Sequence, residues 1–130
     1  MVSKLDSRAA SIADLKLLTR KRIPKFAYEY LVGGCNNDQA ISHNREALDR
    51  IFLHPSYLSR TQPASLKTRV LGVEYDAPFG IAPLGLSGLI WPKAAEYHGA
   101  AAKKANIPYI LSTLASTSIE DAAACAGRNL

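Results

Sequence analysis

Two short apolar runs, Phe79-Gly-Ile-Ala82 and Ile107-Pro-Tyr-Ile-Leu111, constrain this chain more than any other feature. Apolar runs of this length, without polar alternation, fit strands buried on both faces of a parallel sheet. Between them lie a loop carrying Gly85 and Gly88, then a stretch that reads as a helix from Pro92 to about Ala105. Proline suits a first helical turn, where the donor it lacks has no partner anyway, and Asn106 supplies a left-handed cap. After the second run comes a polar loop, Ser112 to Ser116. Thr117-Ser-Ile-Glu120 then reads as a capping box that opens a helix to about Ala126, ended by Gly127. The order β-loop-α-β-loop-α requires right-handed crossovers and a parallel α/β sheet. Two such units neither close a barrel nor cover an open sheet. Arg128-Asn-Leu130 stands where a third strand falls due, so the chain reads as part of a larger α/β body.

Upstream, Thr68-Arg-Val-Leu71, Gly72 and Val73-Glu-Tyr75 read as a short hairpin. The region before it is helical with short breaks. Ser11-Ile-Ala-Asp14 resembles a capping box, opening a helix with Ile12, Leu15 and Leu18 at three-residue spacing. Pro24 opens a second helix to Val32, and Gly33-Gly34 stops it. Asn36-Asn37-Asp38 offers caps for a third, running to about Asp49 with Ala40, Ile41 and Leu48 inward. His54 to Ser65, with Pro55 and Pro63, reads as a traversing loop. The expected division is a helical segment with its loop, 1–65, and a hairpin with two βα units, 66–130.

Of the 130 residues, 48% are hydrophobic and 21% charged, the balance of a folding chain rather than a disordered one. No apolar stretch reaches the ~18–20 residues of a membrane-spanning helix. The opening residues lack the pattern of a secretory signal. Sixteen basic against eleven acidic residues leave a net charge of +5. Lys16, Arg20, Lys21, Arg22 and Lys25 concentrate part of it, and such a cluster attracts phosphate or anionic lipid. The solvated last turn of a helix accounts for it better, and without an aromatic stacking set it does not indicate nucleic acid. Cys35 and Cys125 stand far apart without histidines at ligand spacing, which fits reduced thiols in the cytoplasm rather than a disulfide or zinc site.

In parallel α/β architectures ligands bind at the carboxyl ends of strands. Two loops qualify, Pro83 to Trp91 and Ser112 to Thr117. Gly85 and Gly88 let backbone amides approach a planar ring or an anion, or they serve loop geometry alone. Ser112 either bonds a cofactor or caps a turn. Walker, GxGxxG, HExxH and Gly-x-Ser-x-Gly patterns are absent from the sequence. His43, His54 and His98 lack metal-ligand spacing and read as surface or loop residues. Glu120 and Asp121 sit where a helix dipole favours them. Tyr28 and Tyr30 fall on different faces of one short helix, so that one packs while the other presents its phenol.

The segments Ile23-Pro-Lys-Phe-Ala-Tyr-Glu-Tyr-Leu-Val-Gly-Gly34 and Asn44-Arg-Glu-Ala-Leu-Asp-Arg50 resemble the amino-terminal part of the FMN-dependent α-hydroxy-acid oxidase and dehydrogenase family. Asp76-Ala-Pro78, Ile81-Ala-Pro-Leu-Gly-Leu-Ser-Gly-Leu-Ile-Trp-Pro92 and Ile110-Leu-Ser-Thr-Leu-Ala-Ser-Thr-Ser-Ile-Glu-Asp121 continue the series in order. That family includes glycolate oxidase, flavin-type L-lactate dehydrogenase, lactate monooxygenase and mandelate dehydrogenase. The resemblance implies an α/β fold, the amino-terminal part of a (β/α)8 TIM barrel left incomplete, with FMN at the strand ends. It implies that Pro83, Leu84 and Gly85 lie against the flavin, that Ser112 bonds it, and that Tyr30 binds the substrate carboxylate. A phenol suits that last task as a neutral donor. The implied reaction oxidises (S)-2-hydroxy acids to 2-oxo acids. The implied partners are a small hydroxy acid and, for a complete chain, further copies of itself, with neither nucleic acid nor an integral membrane segment.

The chain departs from the family pattern at several points. Leu84 replaces a frequent threonine, so only backbone contacts to FMN carry over there. Ala94-Ala95 replaces a usual Gly-Glu, Asn106 a frequent glycine, and Leu114 the tryptophan that glycolate oxidase has near its substrate. The family's histidine base, carboxylate-clamping arginines and flavin-side lysine lie in later strands, beyond residue 130. No residue of this chain is therefore assigned as catalytic, and the 130 residues are expected to be inactive alone. A non-catalytic chain that associates with a full-length relative or another subunit is the alternative. Flavin-type isopentenyl-diphosphate isomerases match the Tyr30 segment less well.

Overall fold

The structure is a computed structural model that describes residues 8–58 and 64–130. The chain divides into two compact units, Met1–Ser59 and Arg60–Leu130.

In the first unit, α1 (Ile12–Arg20) begins with both halves of the expected capping box. Ser11 Oγ accepts the Asp14 N–H at 3.2 Å, and Asp14 Oδ2 accepts the Ser11 N–H at 3.0 Å. Leu15 and Leu18 are half-buried while Ile12 is exposed. This helix packs on α2 (Lys25–Val32), whose one buried residue is Ala27. Pro24 is the cap rather than the first helical residue, and Gly33 leaves the helix in extended backbone. The third helix, α3 (Gln39–Asp49), forms where expected. Asp38 caps it by a left-handed backbone, and its carboxylate accepts the Gly34 N–H at 2.8 Å instead of a helix amide. The expectation that Ala40, Ile41 and Leu48 point inward is corrected: all three are exposed. Among the described residues α3 packs on no other helix, so its apolar side chains stay largely open, Ile41 reaching only the Gly34 turn. The expected loop from His54 to Ser65 has no helix or strand over 54–58 and 64–65, while its residues 59–63 lie outside the described ones.

In the second unit, β1 (Thr68–Val70) and β2 (Val73–Tyr75) form the expected antiparallel hairpin, pairing Thr68 with Tyr75 and Val70 with Val73. Leu71 (φ 49°) and Gly72 (φ 83°) are both left-handed, the turn whose twist matches that of the strands. From the hairpin the Asp76 N–H donates to the Asn106 carbonyl at 3.0 Å.

The two apolar runs pair in parallel, but through a single bridge, Ile81 with Tyr109. The Ile81 N–H donates to the Pro108 carbonyl at 2.8 Å and the Ile110 N–H to the Ile81 carbonyl at 3.0 Å. The expectation of two strands buried on both faces is corrected, since Phe79 is 65% and Ile110 57% exposed. Pro83 and Pro108 have no N–H to extend the ladder, and a strand flanked on one edge leaves its other side uncovered.

The helix after the first run is α5 (Ala94–Ala105), preceded by a single turn, α4 (Ser87–Ile90), in what reads from sequence as loop. Lys93, left-handed, caps α5, so the helix starts two residues after Pro92. Asn106 ends it in the expected left-handed conformation. The last helix, α6 (Ile119–Ala126), is capped by Ser118, whose Oγ accepts the Asp121 N–H at 3.0 Å. The expected box at Thr117 is thus shifted by one residue. The close contact of α5 with α6 involves small residues: Gly99 and Ala102 against Ala122 and Ala126. Ala102, Ala126 and Tyr109 form the buried cluster, with Ile81, Ile107 and Leu111 against it. A closing 3-10 turn, Gly127–Asn129, brings Asn129 to the second strand. Its carbonyl accepts the Tyr109 N–H at 2.6 Å and its side-chain amide donates to the Ile107 carbonyl at 3.0 Å.

Candidate functional site

Because the runs pair in parallel, their carboxyl ends leave the core on the same side, and the two loops singled out from sequence emerge together. Pro83, Leu84 and Gly85 follow Ile81-Ala82, and Ser112 follows Leu111. The loops are joined beyond the strands by the Leu86 N–H donating to the Leu114 carbonyl at 2.9 Å. A second bond runs from the Gly88 N–H to Ser116 Oγ at 3.0 Å. The structure thus brings four of the five candidate residues onto adjoining loops. Tyr30, the fifth, belongs to the first unit, on α2, and is half exposed.

The backbone at this edge is unusual. Leu86 is left-handed (φ 51°, ψ 29°), a conformation that costs a residue with a Cβ about 1–2 kcal/mol. It caps α4 without a side-chain acceptor, so the amides of that turn need partners from elsewhere. Ser116 Oγ meets one of them at Gly88. A Cβ added to Gly88 would fall on that oxygen and 3.0 Å from the Ser116 Cβ. The sequence reading of Gly88 as a backbone donor open to a ligand is therefore corrected: its amide is spent within the protein.

Ser112 is half-buried and its Oγ accepts the Leu114 N–H at 3.1 Å. A hydroxyl that accepts in this way still has its own proton to donate. Pro83 and Leu84 are exposed beside it, an apolar strip at the mouth of the strands. Beneath the loops Tyr109 is buried, and His98 stands edge-on to its ring at 6.4 Å between centroids. His98 is thus a half-buried helix residue rather than a loop one. Burial first, and the charge of Glu96 second, push the Tyr109 phenol above its ordinary range. Asp121 bonds Ser118 as a helix cap, in keeping with its place in the sequence.

Sequence reasoning missed Ser116, which reads as one more hydroxyl in a polar loop. The available signal was its pairing with Gly88, since a glycine four residues before Pro92 has no turn of its own to justify it. Along the second strand lies a groove of about 680 Å³, lined by Val70, Val73, Ile110 and Ile119 and also by Ser112 and Thr113 of the candidate loop. Among the described residues no three His, Cys, Asp or Glu side chains are grouped to hold a metal ion, and no helix is long and apolar enough to cross a membrane.

A family model described as FMN-dependent dehydrogenase matches residues 19–130. The (S)-mandelate dehydrogenase of Pseudomonas putida is 39% identical over 113 residues, covering 87% of this chain and 29% of that protein. The 2-hydroxyacid oxidase 2 of Bos taurus is 34% identical over 119 residues, covering 92% and 34%. Among solved structures, a soluble mutant of the membrane-associated (S)-mandelate dehydrogenase of Pseudomonas putida superposes with a TM-score of 0.77 at 39% identity, covering 87% of this chain and 32% of that one. A mandelate oxidase does so with a TM-score of 0.82 at 31% identity, covering 92% and 35%. The chain spans about a third of the length of the relatives it matches.

Proposed function

The chain belongs to the FMN-dependent dehydrogenase family, and on that premise we propose that it forms the first section of a (β/α)8 flavoenzyme oxidising (S)-2-hydroxy acids, of mandelate, lactate or glycolate type, to 2-oxo acids. FMN is the cofactor. When bound, it takes up the two electrons that the hydroxy acid loses. In this reading residues 66–130 supply the first strands and flavin-side loops, and residues 1–65 supply the helical segment with the substrate phenol.

The residues present fit the ring of that cofactor. Pro83 and Leu84 offer an apolar strip, and the Gly85 backbone has no side chain to hold a flat ring away. The Ser112 hydroxyl, one lone pair engaged by the Leu114 N–H, would hold the ring by a hydrogen bond from its own O–H. Tyr30 donates its phenol proton to the substrate carboxylate and orients it without neutralising it. The group that removes the substrate proton belongs to the two-thirds of the relatives' length that this chain does not span, so the 130 residues alone do not turn over. Free thiols at Cys35 and Cys125 support a cytoplasmic setting.

The observation that carries the reading is the pair of strand-end loops bonded side by side within a segment matched from residue 19 to 130. The test is a chimera in which this chain replaces the matching section of the Pseudomonas putida (S)-mandelate dehydrogenase. Such a protein is expected to purify with FMN and to be bleached anaerobically by a 2-hydroxy acid. A chimera that folds and holds FMN but is bleached by no 2-hydroxy acid refutes the reading. The second reading, a non-catalytic chain that associates with another subunit, is favoured by the apolar groove and predicts self-association or aggregation. A soluble compact monomer on size-exclusion chromatography refutes it.

A further inference from the structure

We propose that Ser116 is a positioning residue that fixes the 83–88 loop against the 112–116 loop, and thereby sets where the Pro83–Gly85 backbone lies beside the flavin. The inference rests on the FMN reading above and deepens it. Ser116 touches neither the ring nor the substrate in this role; it acts through Gly88.

Three observations lead to it. The turn α4 is preceded at its cap position by Leu86, a residue with no side-chain acceptor, so its first amides lack a local side-chain cap. Ser116, 28 residues further along the chain, provides the missing acceptor to the Gly88 N–H at 3.0 Å. It is a capping interaction made across two loops rather than within one. Gly88, in turn, has no room for a Cβ because Ser116 occupies that space, so the two residues specify each other sterically as well as by their bond. Leu86, between Gly85 and Gly88, is held in left-handed backbone with its N–H on the Leu114 carbonyl at 2.9 Å. The 83–88 loop therefore sits in a strained conformation fastened to the Ser112 loop at both Leu86 and Gly88. Removing one fastening lets it relax, and Pro83–Gly85 are its first residues.

Replacing a capping hydroxyl by alanine costs about 1 kcal/mol, which corresponds to roughly a fivefold change in an equilibrium constant. The test compares Ser116→Ala and Ser116→Thr with Ser118→Ala. The last variant removes an equivalent cap, that of α6, without reaching the 83–88 loop. In the 130-residue chain, hydrogen exchange at the Gly88 amide is expected to quicken about fivefold in Ser116→Ala, to be restored by Ser116→Thr, and to be unmoved by Ser118→Ala. In the chimera, FMN is expected to bind about fivefold more weakly to Ser116→Ala, with an altered visible circular dichroism of the flavin. Ser116→Thr is expected to restore both, and Ser118→Ala to lower thermal stability alone. Unchanged Gly88 exchange in Ser116→Ala overturns the inference. So does equal loss of FMN affinity in Ser116→Ala and Ser118→Ala, which reduces Ser116 to a structural cap. A wild-type chimera that folds without taking up FMN overturns the flavin reading instead, while the exchange measurement still decides whether Ser116 fastens the loops.

Discussion

Gly99 sits in the middle of α5 at the point where that helix touches α6, and a valine there tests how closely the two helices are packed. A Cβ at Gly99 would stand 3.1 Å from the Ala126 Cβ and 3.3 Å from the Ala126 backbone nitrogen. Valine adds two further methyls with a stiff χ1, and both Ala122 and Ala126 are fully buried, so neither can withdraw into solvent. Overpacking of this kind costs about 1–3 kcal/mol. Against it stands the better helix propensity of valine over glycine, roughly 0.3–0.5 kcal/mol. The net expectation is a loss of about 0.5–2.7 kcal/mol, which for a unit of this size lowers the thermal midpoint by roughly 2–20 °C. Gly99→Ala adds one methyl at the same place and gains up to ~1 kcal/mol of propensity, so the two effects nearly cancel and the midpoint stays within a few degrees. Thermal unfolding followed by circular dichroism at 222 nm on both variants decides the matter. A valine variant as stable as the parent refutes the reasoning, because it would mean that the helices have space between them.

Ser11→Ala removes one half of the first capping box and is expected to cost about 1 kcal/mol of α1 stability, read as faster amide exchange in its first turn. Leu71→Asn places a residue that tolerates left-handed backbone in the hairpin turn and removes an exposed leucine; it should raise the free energy of unfolding, measured by urea titration, by about 0.5–1 kcal/mol. Burial raises the Tyr109 pKa in the folded state, so its contribution to stability is complete below about pH 10 and is lost as pH rises from there through the folded value. Ultraviolet titration at 295 nm should accordingly show a late phenol that Tyr109→Phe removes, and its survival in that variant contradicts the assignment. In the chimera, Tyr30→Phe should raise KM for the hydroxy acid about tenfold, the value of one hydrogen bond to a charged group, while FMN content stays constant.

What the amino-acid sequence makes legible here is whatever a few neighbouring residues decide among themselves. The Ser11–Asp14 box, the Asn106 cap and the Leu71–Gly72 turn are local, and each stands where its residues predict. The cap at α6 is local too, but Thr117/Glu120 and Ser118/Asp121 both satisfy the same spacing, and only the folded backbone selects the second. The turn α4 was not legible because its stabilising acceptor, Ser116, lies 28 residues away and leaves no periodicity near Gly88. The pairing of the apolar runs was legible and their depth was not, since burial depends on what covers a strand's far side. The candidate site follows the same division. Its residues are recognisable in linear order from Pro83 to Ser112, whereas the bonds that hold the two loops together join residues far apart in sequence.

The contact between Asn129 and the second strand has a consequence in time. Tyr109 offers its N–H, and Ile107 its carbonyl, to a single late residue. During synthesis at about 5–20 residues per second, the ribosome adds the intervening stretch over roughly one to four seconds. Helix formation and chain collapse finish within microseconds to about a hundred microseconds. Until Asn129 is made, these two backbone groups have no partner along that edge of the strand. Asn129 acts as a latch on that edge, made after the strand it closes.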